Sequence, residues 1–201
     1  VTVWMDDIIL PFAEKTYKEI GTRLGIEAIS KMDIVDFFPN AFMKESFLKK
    51  MSQQAPYISL AKDEQYLNEY FNYEFGTGII EPAYIVHLQQ LLPAWRKRLL
   101  SENKLIEQSF NFNKLLVSDN SVQYENVVAD LVVFCDGAEG SENPYFNLLP
   151  FALNKGEAII IEAPALPAGH IFKKSMTLAP CGERGIFWAA TKYIWEFDGD
   201  L

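Results

Sequence analysis

Val127-Val-Ala-Asp-Leu-Val-Val-Phe-Cys-Asp-Gly-Ala-Glu-Gly140 is the stretch whose reading decides the fold. Leu131, Val132, Val133 and Phe134 follow one another without a polar break. A strand carries such a run when both of its faces are covered, the condition of a central strand in a layered α/β sheet. The run stops at Cys135-Asp136-Gly137-Ala138, where small residues allow a ligand or a second backbone to come close. In open α/β sheets the carboxyl ends of the strands are where ligands bind. The expectation is a buried strand over Ala129–Phe134 that ends beside a binding crevice. A core strand followed by an ordinary turn is the plainer alternative.

Outward from this stretch, the totals narrow the class. A chain of 201 residues that is 49% hydrophobic and 14% aromatic has ample material for a core, which rules out global disorder. A net charge of −9 argues against non-specific binding to nucleic acid or to an anionic membrane. It does not exclude an anionic cofactor, since backbone amides and helix ends hold such groups locally. Two distant cysteines, Cys135 and Cys181, make no disulfide framework, and a reducing cytoplasm is the expected compartment. No run of apolar residues is long enough to span a bilayer. Both ends stand against apolar sequence, so an internal piece of a longer protein is expected.

Toward the amino terminus, Ile8, Ile9, Phe12, Ala13, Tyr17, Ile20 and Leu24 repeat at three and four residues, the face of a helix for which Gly21 and Gly25 both offer stops. Lys31–Phe38 reads as strand. Asn40 reads as the cap of a second helix that buries Phe42, Met43, Phe47, Leu48 and Met51. Gly76-Thr77-Gly78-Ile79-Ile80-Glu81 begins like a dinucleotide fingerprint, but Glu81 stands at the third glycine and Pro82 opens a helix too late to wrap a pyrophosphate. A tight turn is the reading there. A helical stripe from Pro82 to Leu100 follows, then short strand candidates at Leu105–Phe110, Leu115–Ser118 and Val122–Glu125, with Asp119-Asn120 as a turn. Beyond Gly140, Ile159–Ile161 reads as a buried strand, and Ile171–Leu178 and Gly185–Phe197 as further strands. The order is that of an α+β or mixed α/β chain, not a βαβ ladder.

Several chemistries drop out. His87 and His170 lie in no metal-ligand spacing, and there is no Gly-x-Ser-x-Gly and no P-loop. Cys135 has no histidine near it in sequence and reads as a small buried cysteine.

The order of the remaining motifs resembles the FAD-dependent oxidoreductases of the D-amino-acid oxidase and glycine oxidase superfamily. Ala129–Ala138 resembles the family's strand returning to the flavin domain. Lys155-Gly156-Glu157 resembles its Lys/Arg-Gly-Glu/Gln turn. Pro180 with Trp188–Glu196 resembles the strand near the flavin ring. Residues 1–80 fit only as the segment between such motifs. The amino-terminal Gly-x-Gly-x-x-Gly is absent, as is the carboxyl-terminal glycine-rich segment, and no arginine can be assigned to clamp a substrate carboxylate.

The resemblance implies a substrate-binding domain with a mixed β-sheet plus an incomplete FAD-binding, Rossmann-like portion. It divides the chain as 1–81 (helical segment and start of the substrate domain), 82–154 (partial FAD-binding portion) and 155–201 (substrate-domain strands). It implies Asp136, Gly137 and Ala138 near the FAD phosphates or ribose, and a strand Lys104–Phe112 near the adenine. Lys155 and Gly156 would join the domains beside the flavin, and Thr191, Lys192 and Tyr193 would face the ring or substrate cavity. The intact enzyme would pass hydride from a C–H beside an amine to the flavin, with a small-molecule substrate and no nucleic acid or membrane partner. The 201 residues alone would be inactive and would not retain FAD. The readings from other classes are a non-enzymatic α+β interaction domain and a nucleotide-dependent transferase; the turn at Asp119-Asn120 speaks against the transferase.

Overall fold

The structure, a computed structural model, describes residues 5–53, 55–61, 65–153, 156–182 and 184–191. The chain parts into two compact units, residues 1–104 with 156–194 and residues 105–155 with 195–201.

Three helices lie in the first unit: α1 (Asp6–Leu24), α2 (Ala41–Ser52) and α3 (Leu88–Ser101). The apolar spacing that marks α1 in the sequence leaves Ile8, Ile9 and Phe12 exposed at its first turns, while its later turns pack on α3 and on strand β1 (Ile29–Lys31). β1 pairs antiparallel with β5 (Tyr84–Val86). Tyr84 Oη donates to Glu14 Oε2 at 2.8 Å and ties α1 to this ribbon. Asn40 caps α2 as its sequence position predicts, its side chain accepting from Met43 N at 2.9 Å. α2 buries Phe47 alone; Phe42 and Met43 are exposed, contrary to the expected face. The bond geometry explains this, because Phe47 drops onto Gly78, where any Cβ would overlap its ring, and that contact fixes which way α2 faces.

The main sheet of this unit has seven strands in the order β3-β4-β2-β10-β11-β12-β9. They are β3 (Ile58–Leu60), β4 (Thr77–Ile80), β2 (Ile34–Phe37), β10 (Ile171–Lys173), β11 (Met176–Pro180), β12 (Ile186–Thr191) and β9 (Ala158–Glu162). Every pairing is antiparallel except β2 with β10. One face carries Val35, Phe37, Phe172 and Phe187, covered by Leu67, Phe71 and Tyr73. The other carries Ile58 and Ile80 under Phe38 and Phe47. Gly76 precedes β4, and the glycine pair that imitates a fingerprint leads into a strand instead of a helix. Ile159 and Ile160 are 63% and 57% exposed, because β9 is an edge strand and not the buried one expected.

In the second unit β6 (Leu115–Val117), β7 (Val122–Tyr124) and β8 (Val127–Ala129) form an antiparallel meander, with the β6–β7 turn at the anticipated Asp119-Asn120. Residues 105–111 form no strand, so the strand expected over Lys104–Phe112 is absent. The larger correction concerns Leu131–Phe134. After β8 the chain forms no strand up to Asp136. Leu131 and Val133 are 75% and 72% exposed, while Val132 and Phe134 turn inward. The alternation is that of an extended chain with one covered face. Phe134 supplies that cover by lying 5.7–5.9 Å from the rings of Phe110, Phe112, Tyr145 and Phe146.

Two outcomes follow from this packing. In chemical denaturation of the second unit, Leu131→Glu and Val133→Lys leave the midpoint nearly unchanged. Phe134→Ala costs about 2 kcal/mol, less than a fully buried phenylalanine. At Glu14, the hydrogen bond from Lys18 and then that from Tyr84 hold the carboxyl below the usual range. A lowered acid stabilises the fold above its ordinary value and stops doing so as pH falls through the lowered one. Glu14→Gln therefore flattens the acid limb of an unfolding titration.

Candidate functional site

Asp136 ends the extended ribbon and Gly137–Ser141 turns into a short 3-10 segment. Gly137 has φ 58°, a conformation that favours glycine, and a Cβ there would meet nothing. Gly137 and Ala138 are exposed, so their backbone faces open space. Asp136 points the other way. Its Oδ2 accepts from Asn143 Nδ2 at 2.8 Å, and the fully buried Asn143 accepts in turn from Tyr145 N at 3.0 Å through Oδ1. Asp136 thus holds the turn, and Gly137 and Ala138 present it.

The strand pairings bring a second set of anticipated residues to one end of the seven-stranded sheet. Gly156 stands two residues before Ala158, which pairs with Ala190, and Thr191 is next along β12, opposite Met176. Lys155, Lys192 and Tyr193 lie outside the described residues, and so does the side chain of Thr191.

The register also aligns residues that the sequence offered no reason to group. Leu60, Gly78, Asp36, Lys173, Thr177, Ala190 and Ala158 form one row across all seven strands, each paired with the next. A charged pair thus sits at the centre of the sheet, with Asp36 on β2 and Lys173 on β10. Nothing in a strand's own spacing shows its neighbours, so this grouping exists only in the fold.

Beside the meander, Ile106, Phe110, Leu115, Tyr124, Val127 and Leu131 line an apolar hollow of about 310 Å³. Cys135 is exposed, not buried as expected. The burial expectation failed because Cys135 alternates outward with Leu131 and Val133. His87 Nε2 lies 3.0 Å from Ser30 Oγ, a satisfied histidine joining α3 to β1. Among the described residues no three metal-binding side chains converge, and no helix is long and apolar enough to cross a membrane.

No family model matches the sequence. Solved structures do match the fold. Glycine oxidase from Geobacillus kaustophilus superposes with a TM-score of 0.70 at 13% identity, over 94% of this chain and 55% of that one. Iminodiacetate oxidase from Chelativorans sp. BNC1 gives 0.70 at 12% identity, over 100% and 60%. The chain shares its fold with these two oxidases. An L-amino acid deaminase from Proteus vulgaris shares it, with a TM-score of 0.64 at 12% identity over 90% and 52%. The chain therefore spans between half and three-fifths of the length of these structures. A superposition at such identity carries the fold alone and leaves substrate and site residues to their own geometry.

The Asp136–Asn143 contact is directly testable. Asp136→Ala strands the buried Asn143 amide and costs about 1–3 kcal/mol in the second unit. Amide exchange over residues 137–146 then rises well before that of the seven-stranded sheet.

Proposed function

We propose that the chain is the substrate domain, with part of the flavin-binding portion, of an FAD-dependent oxidoreductase that acts on an amine or amino-acid-like substrate. The observation that carries this reading is the superposition of nearly the whole chain on glycine oxidase and iminodiacetate oxidase. The local geometry fits the same cofactor. Gly137 and Ala138 are exposed and a Cβ at Gly137 would meet nothing, which leaves the close approach a phosphate or ribose needs. Leu131 and Val133 offer the bare side of an extended ribbon that further sheet would cover.

When bound, the flavin supplies the hydride acceptor, and the protein is left to orient the substrate and exclude water. Gly137 and Ala138 bind through the backbone, and Asp136 keeps the turn in shape through Asn143. Gly156 and Thr191 mark the end of the sheet nearest the reacting carbon. Such a reaction asks little acid–base machinery of the chain, in keeping with a sequence that offers no catalytic triad or metal cluster.

Absorbance tests the reading. Protein expressed from the intact reading frame shows the visible bands of a flavin, and these bleach under nitrogen when glycine, iminodiacetate or an L-amino acid is the reductant. The 201-residue chain alone is colourless, since its sequence holds no Gly-x-Gly-x-x-Gly. An intact product free of flavin sinks the assignment.

A further inference from the structure

β9 is the last strand of the seven-stranded sheet, paired with β12 on one side and with nothing on the other among the described residues. The register shows what this open side presents. Ala163 N donates to Gly185 O at 2.7 Å, so the hydrogen-bonded pairs of the antiparallel β9–β12 ladder are Ile161 with Phe187 and Ile159 with Ala189. The backbone N–H and C=O groups of Ala158, Ile160 and Glu162 therefore point away from β12, to the open edge. Apolar side chains are uncovered above and below it. Ile159 stands exposed on one face and Ile160 on the other, and Trp188, opposite Ile160 on β12, is exposed as well.

Proteins blunt such an edge with a short strand, a proline, a lysine or a bulge. The opposite edge follows this rule, since β3 has three residues and stands just after Pro56. β9 does not. Ala158–Glu162 is five residues long, carries three consecutive isoleucines and holds no lysine, proline or glycine. An edge of this composition is a template for another strand, and its own sequence fits one partner. When β9 pairs antiparallel with a second β9 about a two-fold axis, residues on the same face must meet, so the axis passes through a residue. An axis at Ile160 sets Ile160 opposite its own copy, Ile159 opposite Ile161, Ala158 opposite Glu162 and Glu157 opposite Ala163. Every isoleucine meets an isoleucine, every carboxylate meets an alanine, and no like charges face each other. An axis at Ile159 or Ile161 sets Glu157 or Glu162 against an isoleucine instead. The Ile160 register also pairs the outward N–H and C=O groups of Ala158, Ile160 and Glu162 in one ladder.

We propose that β9 is a self-association surface, through which two copies of this chain join their sheets about a two-fold axis at Ile160. One continuous sheet then runs through both copies. The row Ala179, Trp188, Ile160 of one copy continues into Ile160 and Trp188 of the other, so side chains exposed in a single copy cover one another in the pair. One strand pair makes a small interface, so the association follows concentration and is not permanent. The proposal rests on the β9 ladder alone and stands apart from the flavin reading.

Sedimentation measures the association, on the 201-residue chain and on protein from the intact reading frame. Both give twice the monomer mass when concentrated and dissociate on dilution. Amide exchange, read residue by residue, locates the surface. Ala158, Ile160 and Glu162 exchange slowly in the concentrated sample and about tenfold faster or more in the dilute one, whereas Ile159 and Ile161, bonded to β12, stay slow in both. Ile160→Lys, a change at an exposed edge position, keeps the circular dichroism of the wild type and sediments as a monomer. Val133→Lys, on the exposed ribbon of the second unit, leaves the association in place. A monomer at every concentration overturns the inference. A dimer whose three outward amides exchange as fast as in the monomer overturns it too, because that association uses another surface. So does slow exchange of those amides in a monomeric intact protein, where a segment of the same chain occupies the edge. The wild-type exchange decides the matter whether or not Ile160→Lys folds, and none of these readouts depends on bound flavin.

Discussion

The parallel pairing of β2 with β10 is the contact on which the rest of the first unit depends. It joins Ile34–Asp36 to Ile171–Lys173, segments between which residues 105–155 of the second unit intervene. On one side of it lie β3 and β4; on the other lie β11, β12 and β9. The two sets share a sheet only because Val35 and Phe172 sit side by side and Phe37 closes on Phe71 and Phe172. Closing so long a loop costs chain entropy before any contact rewards it. The aromatic density at this seam, with Phe37, Phe71, Tyr73 and Phe172 packed together, is where that cost is met.

The second unit solves a different problem with less material. Three short strands cannot bury two faces. Its stability comes from one aromatic pile, in which Phe110 stacks on Tyr124 at 4.4 Å and Phe134 stands edge-on to both Phe110 and Phe146. The ribbon that follows β8 takes part through alternate residues only. That leaves a row of bare apolar side chains along Leu131 and Val133, more than a small unit exposes without a partner for them.

Local chemistry was legible in the sequence wherever a single residue decides it. Asn40 announces α2, Asp119-Asn120 announces the β6–β7 turn, and Glu81 at a glycine position tells against the dinucleotide loop. Burial was not legible in the same way. Leu131–Phe134 and Ile159–Ile161 have the composition of covered strands, yet one run is unpaired and the other is an edge. Composition records what a segment could bury, whereas coverage depends on neighbours distant in the chain. The family resemblance, carried by Ala129–Ala138 and Lys155–Glu157, reached the fold despite the wrong burial, since motif spacing survives changes in packing. Within the site, the sequence could nominate Gly137 as an opening but not show that Asp136 is turned inward to Asn143.

Two charged residues interrupt the middle of the seven-stranded sheet. In β10, Ile171 and Phe172 are buried and Lys173 follows them into the middle of the sheet, which a strand built for stability alone would not do. Asp36 interrupts β2 between Val35 and Phe37 in the same manner. Each substitution of charge for hydrocarbon looks unremarkable in a single strand, where alternation permits a polar residue at every second place. Only the register, by making Asp36 and Lys173 neighbours with sheet on both sides, turns two permitted polar residues into one costly pair.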